Sequence, residues 1–218
     1  MRRTLGVALC AVFFLVACGS SEAGPKSGLT RTERSVVAKA HVDPAMAVRV
    51  RALGTSIERL KGRTPDYDEY AADGIVLNTQ PQNGRAVLRK VRQQLDPTEY
   101  DAYLLEETYG TGPDQIAVLD ADDHEYLAIV RTDAANFDMD HEAVMDRYLQ
   151  WEKLYDLKLR GAGLDWMEAE IGNPPPDWLA FAKEVYTFCP DIVDQGVGDV
   201  EALAKEMERS RTLYLWWD

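Results

Sequence analysis

The chain closes with Leu213-Tyr214-Leu215-Trp216-Trp217, and this segment decides the predicted fold class. Side chains alternate across a strand, so the two leucines and Trp217 share one face while Tyr214 and Trp216 share the other. Both faces are apolar, which is typical of a strand with protein packed on both sides. We therefore expect a sheet covered by other elements, with this strand in its interior.

Upstream of the closing strand, helix and strand patterns are mixed. Apolar stripes behind a capping residue or a proline predict helices that begin at Asp43, Asn83, Asp140, Pro174 and Asp199. The first of these helices is expected to run to about residue 60. Short apolar segments predict strands at residues 74–79, 102–106, 115–119, 126–131, 157–160 and 165–171. The pattern favours a single α+β domain, with a mixed sheet of about five or six strands and packed helices.

The N-terminus has the pattern of a bacterial lipoprotein. Two arginines precede an apolar run over residues 5–16, which is too short to span a bilayer comfortably as a permanent helix. The run ends in Leu15-Val16-Ala17-Cys18, which resembles a lipobox, with a small residue before the cysteine that takes the lipid.

We therefore expect residues 1–17 to be a cleaved signal peptide and Cys18 to carry the acyl chains of a lipid anchor. Two or more acyl chains, of the palmitate type, hold a protein stably on a membrane. Gly19 after the cysteine resembles the outer-membrane sorting pattern, if the source has two membranes. Residues 18–42 are then the lipidated cysteine and a flexible tether, and residues 43–218 are the α+β domain.

The acidic net charge of the chain limits the classes of partner that it is expected to bind. The net charge is −13, and removal of Arg2 and Arg3 with the signal peptide lowers it to −15. This charge argues against binding nucleic acid, and it permits a cationic protein partner or a divalent cation. Cys189 is the only cysteine left in the domain, so an internal disulfide is excluded; its place on an apolar helix stripe favours a buried thiol over a nucleophile.

Three blocks of the chain are similar to a bacterial family, domain-of-unknown-function family 4253. The blocks are residues 161–166 (GAGLDW), residues 185–196 (VYTFCPDIVDQG) and residues 213–218 (LYLWWD). The resemblance is strongest over residues 140–218 and extends more weakly upstream to about Gly74. It implies a shared α+β fold and transfers no activity.

No catalytic motif is present: the sequence has no phosphate-binding loop, no CxxC pair and no nucleophile elbow. The best candidate for a ligand or cation site is a set of polar residues near the end of the chain. Its members are Glu168, Asp191, Asp194, Gln195 and Asp218. Trp166 and Trp216 are the candidate pocket aromatics, because aromatic rings beside convergent polar groups suit a small-ligand pocket. The alternative is that the aspartates cap backbone groups and the tryptophans fill the core.

Two functions stay open at this point. The first is a membrane-anchored binding or interaction module that presents an acidic domain to a small ligand or a partner. The alternative is a metal-assisted hydrolase that uses the carboxylate cluster to hold a divalent cation. Two acidic runs, residues 120–124 and 136–140, also suit a hard cation, although solvated turns and helix caps explain them better.

Overall fold

A computed structural model of the chain describes residues 28–218; the predicted signal peptide, Cys18 and residues 19–27 of the predicted tether lie outside this range. Within it, seven strands form one sheet. They are β1 (Ser56–Arg63), β2 (Glu69–Asn78), β3 (Asp101–Glu106), β4 (Gln115–Leu119), β5 (Leu157–Ala162), β6 (Trp166–Ile171) and β7 (Thr212–Trp216). Their order across the sheet is β1-β2-β4-β3-β5-β6-β7.

Helices precede and separate these strands. They are α1 (Arg31–Lys39), α2 (Pro44–Arg51), α3 (Gly84–Leu95), α4 (Asp123–Val130), α5 (His141–Tyr155), α6 (Trp178–Phe188) and α7 (Val200–Ser210). A 3₁₀ turn at Ala135–Phe137 and a π-helical turn at Ile192–Val197 complete the described elements. The α+β prediction is confirmed, with seven strands where five or six were expected.

The sheet consists of two antiparallel groups joined by one parallel contact. The pairs within β1-β2-β4-β3 and within β5-β6-β7 are antiparallel, and β3 pairs with β5 in parallel through Leu104 and Gly161. A Cβ atom on Gly161 would collide with the backbone oxygen of Leu104. The junction therefore needs a glycine, because only glycine lets the two backbones come this close.

Two apolar clusters cover the sheet to different extents. One cluster packs α4 to α7 against a face that runs across the whole sheet, from Leu60 on β1 to Leu215 on β7. The other packs α1 to α3 against the opposite face, but only over β1 to β4, and it ends at the half-buried Trp166. The second face of β5, β6 and β7 is thus left without an apolar cover among the described residues. We call it the open face; its residues are Arg160, Trp166, Glu168, Thr212, Tyr214 and Trp216.

The closing strand was predicted to lie inside the sheet, and this part of the prediction is wrong. Among the described strands, β7 lies at the edge of the sheet and pairs with β6 alone. Its second apolar face, Tyr214 and Trp216, is half-buried on the open face instead of packed under helices. At its outer edge, the Cys189 thiol donates to the Trp216 carbonyl oxygen (3.0 Å) and accepts from the Trp216 N–H (3.3 Å).

Two predicted elements are also wrong. The helix expected over residues 43–60 ends at Arg51, and the chain turns at the closely packed Gly54 into β1. The segment 126–131 was expected to be a strand, but residues 126–130 belong to α4 and Arg131 is its C-cap residue. Asp122 and Glu125 form a capping box at its start, and that local signal outweighs the strand-like run of apolar residues.

The predicted tether is wrong from residue 29 onward. α1 lies within it, and Leu29, Val37, Ala40 and Val42 are buried in the second apolar cluster. The Glu33 carboxylate fixes this helix by accepting from Arg51 Nε (2.5 Å) and from the Ile57 backbone N–H (3.1 Å). The folded domain therefore begins at about residue 29 instead of 43. In residues 28–218, no helix combines the length and the apolarity needed to cross a bilayer.

Candidate ligand-binding cleft

A cleft of about 550 Å³ lies where the open face meets the ends of three other elements. Its walls come from the C-terminal end of β1, the first turn of α3, the end of β3 and the β5–β6 turn. The volume is in the range of small-molecule sites.

Three aromatic side chains of the open face form one wall of the cleft: Trp166, Tyr214 and Trp216. The rings of Trp166 and Tyr214 lie 6.3 Å apart between centroids, at an angle of 28°. Trp166 can take this position because Gly163 beneath it has no Cβ atom, which would collide with the indole nitrogen. All three residues are half-buried, so part of each ring is accessible to a ligand.

The indole N–H groups of Trp166 and Trp216 are available donors. Neither hydrogen-bonds any described residue, whereas those of Trp151 and Trp217 donate to Glu184 and Phe188. No buried side-chain polar atom among the described residues lacks a partner. Both N–H groups are therefore accessible to solvent, and a ligand oxygen can accept from them without displacing a protein contact.

Arg85, from the first turn of α3, is the charged centre of the cleft. Its Nη2 lies 3.0 Å from Glu107, its Nε also donates to Glu107 (3.1 Å), and its Nη1 donates to Glu168 (2.5 Å). Burial alone would lower the pKa of Arg85, but the two carboxylates outweigh it and raise the pKa. A guanidinium has five N–H bonds and these contacts use three, so two make no contact with a described residue, on a side chain that is 48% exposed.

The buried Asp114 carboxylate places α3, and with it Arg85. It accepts from the Gly84 N–H (2.8 Å), the Thr108 N–H (3.0 Å) and the Thr108 hydroxyl (3.2 Å). Burial would raise the pKa of Asp114, but these hydrogen bonds outweigh it and lower the pKa. Asp114 thus anchors the first turn of the helix that carries Arg85 into the cleft.

The rim of the cleft carries both signs of charge. Lys61 pairs with Glu69 at 2.7 Å, while Arg63 makes no ion pair with a described residue. Glu106 and Asp165 also line the cleft and are exposed. Tyr109, another lining residue, is 73% exposed. The rim can therefore both donate to and accept from a ligand.

A second cavity, of about 400 Å³, adjoins the cleft and shares Arg85 and Tyr214 with it. Its lining includes Glu168, Thr212 and Arg160 of the open face. It also has apolar walls from the π-helical turn and α7. The two cavities together follow the open face along β6 and β7.

The structure divides the predicted site residues into two groups. Trp166 and Trp216 line the cleft, and the buried Glu168 lines the second cavity and pairs with Arg85. The other four candidates line neither cavity. They are Asp191, Asp194, Gln195 and Asp218.

Two of these four residues meet through a backbone contact. The Asp191 carboxylate accepts from the Asp218 N–H at 2.9 Å. Asp194 is exposed and accepts from the Tyr186 hydroxyl at 3.1 Å, and Gln195 is exposed. Residues 28–218 contain no group of three or more His, Cys, Asp or Glu side chains arranged to hold a metal ion.

The remaining sequence candidates have structural roles. Burial raises the pKa of Cys189 to about 11, so the thiol stays protonated near neutral pH. In the two acidic runs, Asp122 and Asp140 accept backbone N–H bonds in the first turns of α4 and α5.

Fold and site together define an α+β domain with an aromatic, donor-rich cleft beside the uncovered part of its sheet. Residues 115–218 match the family described as "Domain of unknown function (DUF4253)". The matched part of the chain runs from β4 to the C-terminus. It supplies the aromatic wall and Glu168, whereas Arg85 and Arg63 lie outside the matched range. Comparison with curated proteins and with solved structures found no match to the chain.

Proposed function

We propose that the chain is a lipid-anchored binding protein whose acidic domain takes a small ligand in the aromatic cleft. One observation carries the proposal: two indole N–H groups and two Arg85 N–H groups make no hydrogen bond within residues 28–218, and they lie in a cleft of binding-site size. A ligand that engages these solvent-accessible aromatic faces and donors replaces water and breaks no hydrogen bond between described residues.

The sequence supports the membrane anchor. The basic start, the apolar run and the lipobox before Cys18 agree with each other. A lipid on Cys18 would leave the residues before Leu29 to link the folded domain to the membrane. The domain would then present its cleft at the cell envelope.

A thermal-shift screen of the full chain tests the binding function. The library holds amino acids, dipeptides, nucleosides, carboxylic acids and saccharides. At least one compound should raise the melting temperature, because binding to the folded state stabilises it. Trp216→Ala should abolish the shift, and Trp178→Ala is the matched control, because Trp178 lines neither cavity. The proposal fails if no compound stabilises the chain, or if Trp216→Ala leaves every shift unchanged.

Metabolic labelling tests the anchor. Cells that express the chain with a clickable fatty acid should yield a labelled product, and Cys18→Ser should remove the label and release the protein from the membrane fraction. Cys10→Ser is the control and should keep the label. An unlabelled wild-type product would contradict the anchor and leave the cleft proposal untouched.

A further inference from the structure

We propose that the ligand of the cleft is a neutral oligosaccharide of at least two sugar units, lying across both cavities of the open face. This inference rests on the proposed binding function and specifies its ligand class. It follows from three properties of the site: the kind of polar groups left unbonded, the balance of charge, and the length of the groove.

The unbonded groups match the surface of a sugar. A sugar ring presents C–H groups on its faces and oxygen atoms around its edge. Trp166, Tyr214 and Trp216 offer flat apolar surface to such a face. The indole N–H groups and the free N–H groups of Arg85 can donate to ring and hydroxyl oxygens. The exposed carboxylates of Glu106 and Asp165 at the rim can accept from hydroxyl groups.

The charges disfavour an ionic ligand. Three cationic side chains line the cleft together with four carboxylates. The cations are Lys61, Arg63 and Arg85, and the carboxylates are those of Glu69, Glu106, Glu107 and Asp165. An anion would also be repelled by the net charge as it approaches, which is −13 for the full chain and −15 without Arg2 and Arg3. A cation would be repelled by Arg85 at the centre of the cleft and by Arg63, which makes no ion pair with a described residue. A neutral molecule that carries both acceptors and donors meets neither obstacle.

The length of the groove favours more than one sugar unit. The cleft begins at Trp166 and Trp216, and the second cavity continues past Glu168 and Tyr214 to Thr212. The ladder pairs Trp166 with Trp216 and Glu170 with Thr212, so the groove follows five residues of β6. The four steps between them, at about 3.4 Å each, give roughly 14 Å, which is longer than a single sugar ring.

The test is calorimetric titration of the full chain, purified in a detergent without a sugar headgroup. The probes are mono-, di- and tetrasaccharides of glucose, N-acetylglucosamine, galactose and mannose. We expect at least one series to bind, with affinity rising at least tenfold from the monosaccharide to the longer members. The rise is expected because the longer members reach the second cavity.

Three variants locate the binding. Trp216→Phe keeps an aromatic ring and removes the N–H, so it should weaken the bound series about fivefold to tenfold, the effect of one lost hydrogen bond. Trp178→Phe is the same change outside both cavities and should have no effect. Val197→Trp places a bulky ring on an exposed residue of the second cavity and should abolish the gain with length.

The outcomes separate this inference from the binding function itself. If saccharides bind, and Trp216→Phe weakens the binding while Trp178→Phe does not, both the binding function and the saccharide assignment are supported. If only non-saccharide compounds bind in the cleft, the saccharide assignment is overturned while the binding function stands. If saccharides bind but neither Trp216→Phe nor Val197→Trp changes the affinity, the site is elsewhere and the inference fails. If no compound of any class binds, both proposals fail.

Discussion

The two halves of the sheet differ in how many of their faces are covered. In the first half, β1 to β4, the adjacent residues Ile75 and Val76 point to opposite faces and both are buried. In the second half, β5 to β7, Leu215 is buried while its neighbour Trp216 is only half-buried. The cleft lies beside the half on which residues 28–218 place no second layer of helices. The site therefore exists because the described helices leave one face of β5 to β7 uncovered.

The largest expected effect contrasts two neighbours on β7. Leu215 is 1% exposed in the continuous apolar cluster, so Leu215→Ala should lower the free energy of unfolding by about 3 kcal/mol. Tyr214 faces the cleft and is half-buried, so Tyr214→Ala should cost only about 1 kcal/mol. Urea unfolding followed by circular dichroism measures both. Equal losses would mean that the open face is packed as tightly as the covered one.

The next effect concerns α3, the helix at the boundary between the two halves of the sheet. Asp114→Asn puts an NH2 group in place of one carboxylate oxygen, and that group cannot accept from a backbone N–H. The free energy of unfolding should therefore fall by about 2 kcal/mol. Asp165→Asn, at the exposed cleft rim, is the matched control and should change stability by less than about 0.5 kcal/mol. If the two variants lose the same amount, Asp114 does not anchor α3.

Because the Asp114 carboxylate titrates, its contribution to the free energy of unfolding should depend on pH. The folded-state pKa of Asp114 is lowered, so its stabilisation is complete above the unfolded-state pKa, about 3.9, and is lost as the pH falls through the lower folded-state pKa. The difference in unfolding free energy between wild type and Asp114→Asn should therefore be constant from pH 7 to pH 5. It should shrink below about pH 4. A difference that persists unchanged at pH 2 would contradict a lowered pKa.

The elements that the sequence predicted correctly are those with a strong local pattern. The helices that became α3, α5 and α7 combine a residue in the capping position with a buried stripe, and all three were predicted. β1 was missed because its pattern joins that of α2 without a clear break. α4 was mistaken for a strand because its apolar residues are consecutive, and only the capping box distinguishes it.

The site was predictable only where it depends on alternation along one strand. Trp166, Glu168 and Trp216 were among the candidates, and the same alternation places Tyr214 beside Trp216. Arg85 could not be found this way, because it lies 83 residues from Glu168 in the chain. The order of the strands brings α3 to the open face, and no local pattern encodes that order.

A smaller effect concerns α1, one of the helices that cover the first half of the sheet. Glu33 ties α1 to α2 and β1, so Glu33→Gln should cost about 1 kcal/mol, because the amide keeps one acceptor but loses its charge. Protease digestion should then cut the N-terminal segment faster than in wild type. The control is Glu142→Gln, an exposed partner of Arg131, which should leave both the stability and the digestion rate unchanged. Equal digestion of the two variants would mean that α1 does not depend on Glu33.

The smallest effect belongs to an ion pair on the uncovered half. Arg160 and Glu170 of β5 and β6 lie 2.8 Å apart, with side chains that are 39% and 51% exposed. Water and salt screen such a pair, so Glu170→Gln should cost at most about 0.5 kcal/mol, and the difference should vanish in 1 M salt. Urea unfolding at low and high salt measures it. A loss as large as that of Glu33→Gln, and insensitive to salt, would mean that solvent does not reach this half of the sheet. The contrast between the two halves would then fail at the residues where it predicts the weakest contact.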